Sequence, residues 1–160
     1  MSSPNENYFR FENLLVKLAS SGVDFAVAGG VAVSLNGFIR ATDDVDVLVA
    51  KSPENLRRLL DCLAQWGQGF ARELKIEDFA DQPGAIRVME DFDLDIFIQM
   101  REQSLDYFRP RLCFFEIGET RIAYLSPADL IFLKQDSWRE KDQMDVAAMK
   151  EILAREAKQS

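Results

Sequence analysis

Hydrophobic residues recur first at helical spacing and then in short apolar runs, which predicts helices that alternate with buried strands. Phenylalanine and leucine at positions 11, 14, 15 and 18 predict a helix over residues 7–20, ended by Gly22. Residues 23–28 are mostly apolar and predict a buried strand. Residues 31–36, which follow Gly29-Gly30, predict a short helix that ends at Gly37.

The middle of the chain changes to the two-residue period that is typical of strands. Residues 44–50 and residues 92–99 alternate between polar and apolar side chains, so each segment predicts a strand. Between them, Ser52-Pro53 begins a helix with proline at its first position. Leucines at helical spacing continue that helix to about Gly67.

Between residues 70 and 125, turn residues separate further segments that predict strands. Residues 70–89 predict one or two strands around the turn signal at residues 82–84, Gln-Pro-Gly. Residues 112–117 and 121–125 predict a hairpin, with Gly118 in its turn.

The C-terminal third is predicted to be helical. Ser126 and Asp129 are spaced as a capping box, and they begin a helix that extends to about residue 138. A final helix is predicted over residues 140–157. The whole order indicates one α/β (α+β) domain over residues 1–160, with a mixed β-sheet flanked by helices and the C-terminal helices packed on it.

Composition narrows the chemistry that such a domain can perform. The 160 residues are 48% hydrophobic and carry a formal net charge of −8. This negative charge argues against non-specific electrostatic binding of nucleic acid. The chain has no histidine and two cysteines, which excludes histidine-dependent triads, histidine-ligated zinc and an all-cysteine zinc site. No apolar run approaches the roughly 20 residues of a membrane helix. We therefore expect a cytoplasmic protein, with no membrane partner, whose chemistry depends on Asp, Glu, Lys, Arg, Ser and the backbone.

Two pairs of aspartates are the most informative polar residues. Asp44 and Asp46 share one face of their predicted strand, and Asp93 and Asp95 share one face of another, while the intervening aliphatic residues face the core. If the two strands are neighbours, three or four carboxylates crowd one patch, which is destabilising without a counterion. All-oxygen ligands suit Mg²⁺ or Mn²⁺. A single pair is more simply a solvated strand edge, but two such pairs favour a metal site.

Three other features lie where they would serve such a site, and each has an alternative explanation. Gly29 and Gly30, between a strand and a helix, would let a phosphate approach backbone amides, although a tight turn explains them equally well. Arg40 lies in the loop before Asp44 and either holds a phosphate or is solvated. Lys134, on the inward stripe of its helix, either reaches the site and its carboxylates or extends to solvent.

The order of these motifs resembles the nucleotidyltransferase superfamily of the DNA polymerase β type. Thirteen residues separate Gly30 from an Asp-apolar-Asp-apolar strand, and a third strand carboxylate follows. The segments VAGGVAVSLNGFIRATDDVDVLV and LSPADLIFLKQDSWREKDQMDVAAMKEIL are similar to small bacterial AbiEii-type toxins and their relatives. Those relatives carry a lysine, a basic residue and Lys-Asp-x-x-Asp, which correspond here to Lys134, Arg139 and residues 141–145. The chain departs from many of them at Ser137-Trp138, where they have a small residue and glycine.

The resemblance implies the nucleotidyltransferase fold and specific roles for the aspartates. Asp44 and Asp46 would bind two metal ions, Mg²⁺ or Mn²⁺, and a third carboxylate would complete one site and help deprotonate the acceptor hydroxyl. Asp93 and Asp95 are both candidates for the third carboxylate. We expect only one of them to lie level with the first pair, and we choose Asp95 because an apolar run follows it. Asp142 and Asp145 are expected to be structural, pairing with Lys134 or Arg139.

The implied reaction moves a nucleoside monophosphate from an NTP to a hydroxyl acceptor, with release of pyrophosphate. Gly29, Gly30, Arg40 and Lys134 would bind the nucleotide. The acceptor would be a tRNA end, a protein side chain or a small molecule, and the resemblance to AbiEii-type toxins implies a toxin with an antitoxin partner. Two other functions remain open: a non-catalytic antitoxin or binding module that keeps the fold, and a metal-dependent phosphohydrolase that uses water as acceptor.

Overall fold

The computed structural model describes residues 4–80 and 83–159, and these form a six-stranded mixed sheet with six α-helices. The strands are β1 (Phe25–Ala28), β2 (Asp44–Val49), β3 (Ile86–Met89), β4 (Asp93–Phe97), β5 (Cys113–Ile117) and β6 (Thr120–Tyr124). The helices are α1 (Pro4–Ser20), α2 (Gly29–Leu35), α3 (Pro53–Leu63), α4 (Leu105–Phe108), α5 (Pro127–Lys134) and α6 (Glu140–Gln159). The predicted α/β class with a mixed sheet is confirmed.

The strand order β3-β4-β2-β1-β6-β5 places the two best-buried strands at the centre of the sheet. β2 is parallel to β4 and β1 is parallel to β6, while the other three neighbouring pairs are antiparallel. Helix α1 contacts β6 and α3, whereas α2 lies on β1 and β2 and also contacts α5 and α6. The C-terminal helices therefore pack on the sheet side that α2 covers. No helix in the described part of the chain is long and apolar enough to cross a bilayer.

The segment between α3 and β4 was predicted to hold one or two strands. Its described residues form one strand, β3, preceded by two 3₁₀ turns at Phe70–Glu73 and Ile76–Phe79. Phe79 is buried, so this part of the predicted region contributes to the core from a turn and not from a strand. The Asp78 carboxylate accepts a hydrogen bond from the Lys75 amide at 2.8 Å, which favours the tight turn over extended backbone. Within the predicted turn at residues 82–84, Gln82 lies outside the described residues.

Two helical boundaries also differ from the prediction. Helix α5 ends at Lys134 rather than near residue 138, because Ser137 forms turn contacts: its amide donates to the Lys134 carbonyl and its hydroxyl donates to Asp142. The short helix α4 and the 3₁₀ turn Arg109–Arg111 were not predicted at all. One helical turn is too short for a hydrophobic period to show in the sequence.

The register between β2 and β4 decides how the aspartates meet. Asp44 lies opposite Asp93, and Asp46 lies opposite Asp95. The expectation that only one aspartate of β4 would be level with the first pair is therefore wrong, because parallel strands in this register align both pairs. The residues between them, Val45 and Leu94, are fully buried, so the carboxylates are held on the opposite face.

A buried asparagine ties the far end of the sheet to α3. The Asn55 side chain accepts from the Asp24 amide at 2.8 Å and donates to the Asp24 and Ala50 carbonyls at 2.9 and 2.8 Å. These backbone groups lie just before β1 and just after β2. Since Asn55 is 3% exposed, water cannot readily replace its amide.

We expect Asn55→Ala to lower the free energy of unfolding by about 2 kcal/mol, because it removes the three hydrogen bonds of a buried side chain and leaves the Asp24 amide and the Ala50 carbonyl without that partner. Urea unfolding followed by circular dichroism measures this. Arg57→Ala, at an exposed position two residues later in α3, is the control and should change stability by less than about 0.5 kcal/mol. Equal stability of the two variants would show that the asparagine contacts do not hold this end of the sheet.

Candidate active site

Three carboxylates meet at the edge where β2 and β4 begin. One carboxylate oxygen from each of Asp44, Asp46 and Asp95 lies within 4.8 Å of the other two. Asp95 is buried at 6% exposure, and the other two are partly buried. Among the described residues, this group does not include Asp93. We call Asp44, Asp46 and Asp95 the acidic cluster.

The acidic cluster carries more negative charge than its surroundings accommodate. Burial, followed by the charges of Asp44 and Asp95 and a hydrogen bond with Asp95, raises the pKa of Asp46 to about 7. Like charges at this separation favour a bound proton or a bound cation. Carboxylate oxygens are the ligands that Mg²⁺ and Mn²⁺ prefer, so the donor set fits such an ion.

Thr42 holds the first aspartate of the cluster. This residue is 7% exposed, and its hydroxyl lies 3.0 Å from Asp44 Oδ1 and 3.2 Å from the Asp44 carbonyl oxygen. A hydroxyl has one proton, so it donates to one of these oxygens at a time. The loop before β2 thereby restricts the direction in which Asp44 points.

The two glycines allow side chains to approach the start of α2, where they are the first two residues of the helix. Gly29 has a φ of +60°, and a Cβ built there would overlap the Asp46 carboxylate. A Cβ on Gly30 would lie 2.9 Å from an Arg40 guanidinium nitrogen. The glycines therefore have a structural reason that sequence analysis missed: a larger residue at either position would displace Asp46 or Arg40.

Asp145 on α6 binds both basic residues that were predicted to contact nucleotide. Arg40 donates to its two carboxylate oxygens from Nε and Nη2, each at 2.7 Å, and Lys134 Nζ lies 2.5 Å from Oδ2. Lys134 is also 3.3 Å from Asp142. The expected pairing of Asp145 with Lys134 is present, whereas the pair with Arg40 was not predicted.

This buried network lies beside the acidic cluster. Asp145 is fully buried, and although burial alone would raise its pKa, the hydrogen bonds from Arg40 and Lys134 hold that pKa below its usual value. The positive charge of Lys134 partly opposes the rise in the pKa of Asp46. The ammonium group is therefore within electrostatic reach of the cluster. The structure thus brings Arg40 and Lys134 to one side of the aspartates.

Arg87 on β3 is the site residue that sequence analysis did not find. Its Nε and Nη2 donate to the two oxygens of Asp95 at 2.8 and 2.9 Å. It is also 3.4 Å from Asp93 and 3.8 Å from Asp44. The hydrogen bonds and charge of Asp95 raise the pKa of Arg87. Only the pairing of β3 with β4, which sets Arg87 opposite Asp95, reveals this contact.

The comparison with family models identifies the superfamily. The model of the family described as "Nucleotidyltransferase of unknown function (DUF6036)" matches residues 9–155. The chain belongs to this family. The resemblance to the nucleotidyltransferase superfamily is therefore confirmed, and with it the predicted fold.

Solved structures share the fold of this nucleotidyltransferase family member at low sequence identity. The lincosamide antibiotic adenylyltransferase LnuA, bound to lincomycin, is 16% identical with a TM-score of 0.61, and the match covers 92% of this chain and 96% of that chain. An antigenic nucleotidyltransferase-like protein from Paracoccidioides brasiliensis is 18% identical with a TM-score of 0.58, covering 91% and 75%. A protein from Thermotoga maritima assigned as a nucleotidyltransferase is 14% identical with a TM-score of 0.56, covering 100% and 97%. No curated protein sequence matches the chain.

The raised pKa of Asp46 predicts how stability depends on pH without metal. Its pKa is about 7 in the folded protein and 3.8 in the ordinary carboxyl, so the folded state binds the proton more tightly. The resulting stabilisation is complete below the lower value and is lost as pH rises through the upper one. In chelator, the free energy of unfolding should therefore fall more steeply from about pH 5 to about pH 8 in the wild type than in Asp46→Asn. Urea titrations across this range measure both slopes, and identical slopes would contradict the assignment.

Removing the charge of Asp145 should be costly, because Arg40 and Lys134 would be left partly buried without their shared partner. We expect Asp145→Asn to lower the free energy of unfolding by about 3 kcal/mol. Asp136→Asn removes the partner of Arg101 from an exposed ion pair and should cost less than about 1 kcal/mol. Chemical denaturation of the two variants at neutral pH compares them, and a loss for Asp145→Asn no larger than that of the control would count against a structural role.

Proposed function

We propose that the protein is a metal-dependent nucleotidyltransferase that moves a nucleoside monophosphate from an NTP to a hydroxyl acceptor. The observation that carries this proposal is the convergence of Asp44, Asp46 and Asp95 in a chain of the nucleotidyltransferase superfamily. In the reaction, the acceptor oxygen forms a bond to the α-phosphorus while the bond from that phosphorus to the bridging oxygen breaks. Pyrophosphate leaves, and the hydroxyl proton passes to a base.

The acidic cluster would hold Mg²⁺ or Mn²⁺, through one oxygen of each aspartate. Such an ion offsets phosphate charge and lowers the pKa of a bound hydroxyl. Asp95 is the carboxylate that we assign to accept the hydroxyl proton, at an Oδ atom. Its position is fixed by burial and by the strand pairing with β2, and phosphoryl-type transfer depends mostly on such positioning.

Arg40 and Lys134 are proposed to contact the triphosphate. Their side chains are 16% and 13% exposed, and Asp145 keeps both from moving away from the cluster. An ammonium group has three donors, and the contacts of Lys134 with Asp145 and Asp142 use two of them. Gly29 and Gly30 lie against Asp46 and Arg40, so a phosphate near those two side chains would also lie near the backbone of α2.

The acceptor is proposed to be a small molecule or a protein rather than tRNA. The net charge of −8 disfavours an extended polyanion. A small-molecule acceptor also agrees with the fold shared with a lincosamide antibiotic adenylyltransferase. The resemblance of the two sequence motifs to AbiEii-type toxins supports a second hypothesis, a toxin whose partner is an antitoxin. If the protein is a toxin, its expression should arrest cell growth, and expression of Asp44→Asn should not.

Incubation with each α-labelled NTP, Mg²⁺ and cell lysate tests the reaction. We expect label on an acceptor and release of pyrophosphate, and no label transfer by Asp44→Asn or Asp46→Asn, both of which should stay folded because each removes a crowded charge. Label in free nucleoside monophosphate without an acceptor would indicate a phosphohydrolase instead. Absence of both metal-dependent NTP binding and transfer would indicate a non-catalytic binding module.

The same assay separates the two aspartates of β4. Asp95→Asn should slow single-turnover transfer by about a thousandfold or more while keeping most NTP affinity, because it removes a contact used in the transition state. Asp93→Asn should cost less than about tenfold, or ~1.4 kcal/mol of barrier, since it lies outside the acidic cluster. An inactive Asp93 variant beside an active Asp95 variant would reverse the assignment.

A further inference from the structure

One cation of the chain already occupies the acidic edge of the sheet. The Arg87 guanidinium contacts three aspartates: both oxygens of Asp95 at 2.8 and 2.9 Å, Asp93 at 3.4 Å and Asp44 at 3.8 Å. Two of these three, Asp44 and Asp95, belong to the acidic cluster that would hold a divalent ion. The same carboxylates therefore face two different cations, one built into the chain and one taken from solution.

The geometry makes these two cations antagonistic at Asp95. The guanidinium pairs with the carboxylate through two parallel hydrogen bonds, which engage both oxygens at once. A divalent ion on either oxygen would lie close to the fixed positive charge, and like charges that close repel. Cation binding to Asp95 is therefore weakened for as long as Arg87 stays in place.

Exposure shows which partner can move. The Arg87 side chain is half exposed and comes from β3, which is an edge strand, whereas the Asp95 side chain is 9% exposed on a strand between two neighbours. A long flexible side chain at a sheet edge can turn to solvent at small cost. The carboxylate cannot leave its strand position without disturbing the core behind it.

We propose that Arg87 is a positioning residue that holds Asp95 in the metal-free protein and competes with the divalent cation for it, so that metal loading of the acidic cluster requires Arg87 to release Asp95. This inference rests on the proposed function, because the competing ion is the one that the transferase would use. Arg87 stabilises the metal-free state and sets the metal concentration at which the site fills.

Calorimetric titration of Mn²⁺ into chelator-treated protein tests the competition without any assay of activity. We expect Arg87→Gln to bind Mn²⁺ roughly five- to twentyfold more tightly than the wild type, within the range that coupled sites show. Arg87→Lys keeps the charge but loses the two-pronged pair, so its affinity should lie between those two. Arg155→Gln removes a positive charge that pairs with Glu151 near the end of α6, and it should bind Mn²⁺ like the wild type.

Thermal unfolding supplies an independent measurement on the same proteins. In chelator, Arg87→Gln should melt below the wild type, because the aspartates then repel without their resident cation. Saturating Mn²⁺ should raise the melting temperature of Arg87→Gln by more than that of the wild type, since tighter binding stabilises more. In an Asp95→Asn background, Arg87→Gln should raise Mn²⁺ affinity by less than it does in the wild-type background, because the two-pronged contact with Asp95 is gone and only the weaker 3.8 Å contact with Asp44 still opposes the ion at the cluster.

The outcomes separate this inference from the proposed function. If the wild type binds Mn²⁺ and Arg87→Gln binds it equally or more weakly, the competition is wrong while the metal site stands. If neither the wild type nor the Arg87 variants bind Mn²⁺, both proposals are overturned. Should Arg87→Gln not fold, Arg87→Lys carries the comparison, and an affinity equal to the wild type then contradicts the competition.

Discussion

The parallel pairing of β2 with β4 is the constraint on which the site depends. It sets Asp44 opposite Asp93 and Asp46 opposite Asp95, and it does so because the alternate residues of both strands are buried aliphatic side chains. A slip of one residue would turn those apolar side chains to solvent and the carboxylates into the core. The hydrophobic core therefore enforces an arrangement of like charges that electrostatics alone would oppose.

The surrounding structure manages that repulsion with basic residues from three separate parts of the chain. Arg87 contacts the cluster directly from the edge strand β3, whereas Lys134 on α5 and Arg40 in the loop before β2 act on it through their charge. Asp145 on α6 joins the last two into one buried network. The C-terminal helices are thus part of the site as well as of the packing, because α6 determines where the charges of Arg40 and Lys134 lie.

The basic residues do not fully offset the negative charge around Asp46. Burial and the charges of Asp44 and Asp95 therefore raise its pKa. A site of this kind has three ways to become neutral: bind a proton, hold an internal cation or take up a metal ion. The raised pKa of Asp46 favours the first, and the contact of Arg87 with Asp95 is an example of the second. Under the proposals made above, a divalent ion would compete with both, and the proton, the guanidinium and the metal would then share one set of equilibria.

By itself, the sequence determined the class of fold, most helices and strands, the pairs of aspartates on common strand faces and the inward position of Lys134. These are short-range properties, since hydrophobic period, capping residues and glycines act within a few positions of the chain. The motif order also carried the resemblance to the superfamily that the family comparison confirmed.

Only the tertiary structure decided which side chains meet. The contact of Arg87 with Asp95 depends on the pairing of β3 with β4, and Arg40 reaches Asp145 across 105 positions of the chain. The alignment of both aspartates of β4 with those of β2 depends on the strand register, and the buried turn at Phe79 depends on the core that receives it. Such contacts join residues that are distant in the chain, and no local pattern records them because they are fixed by packing and register.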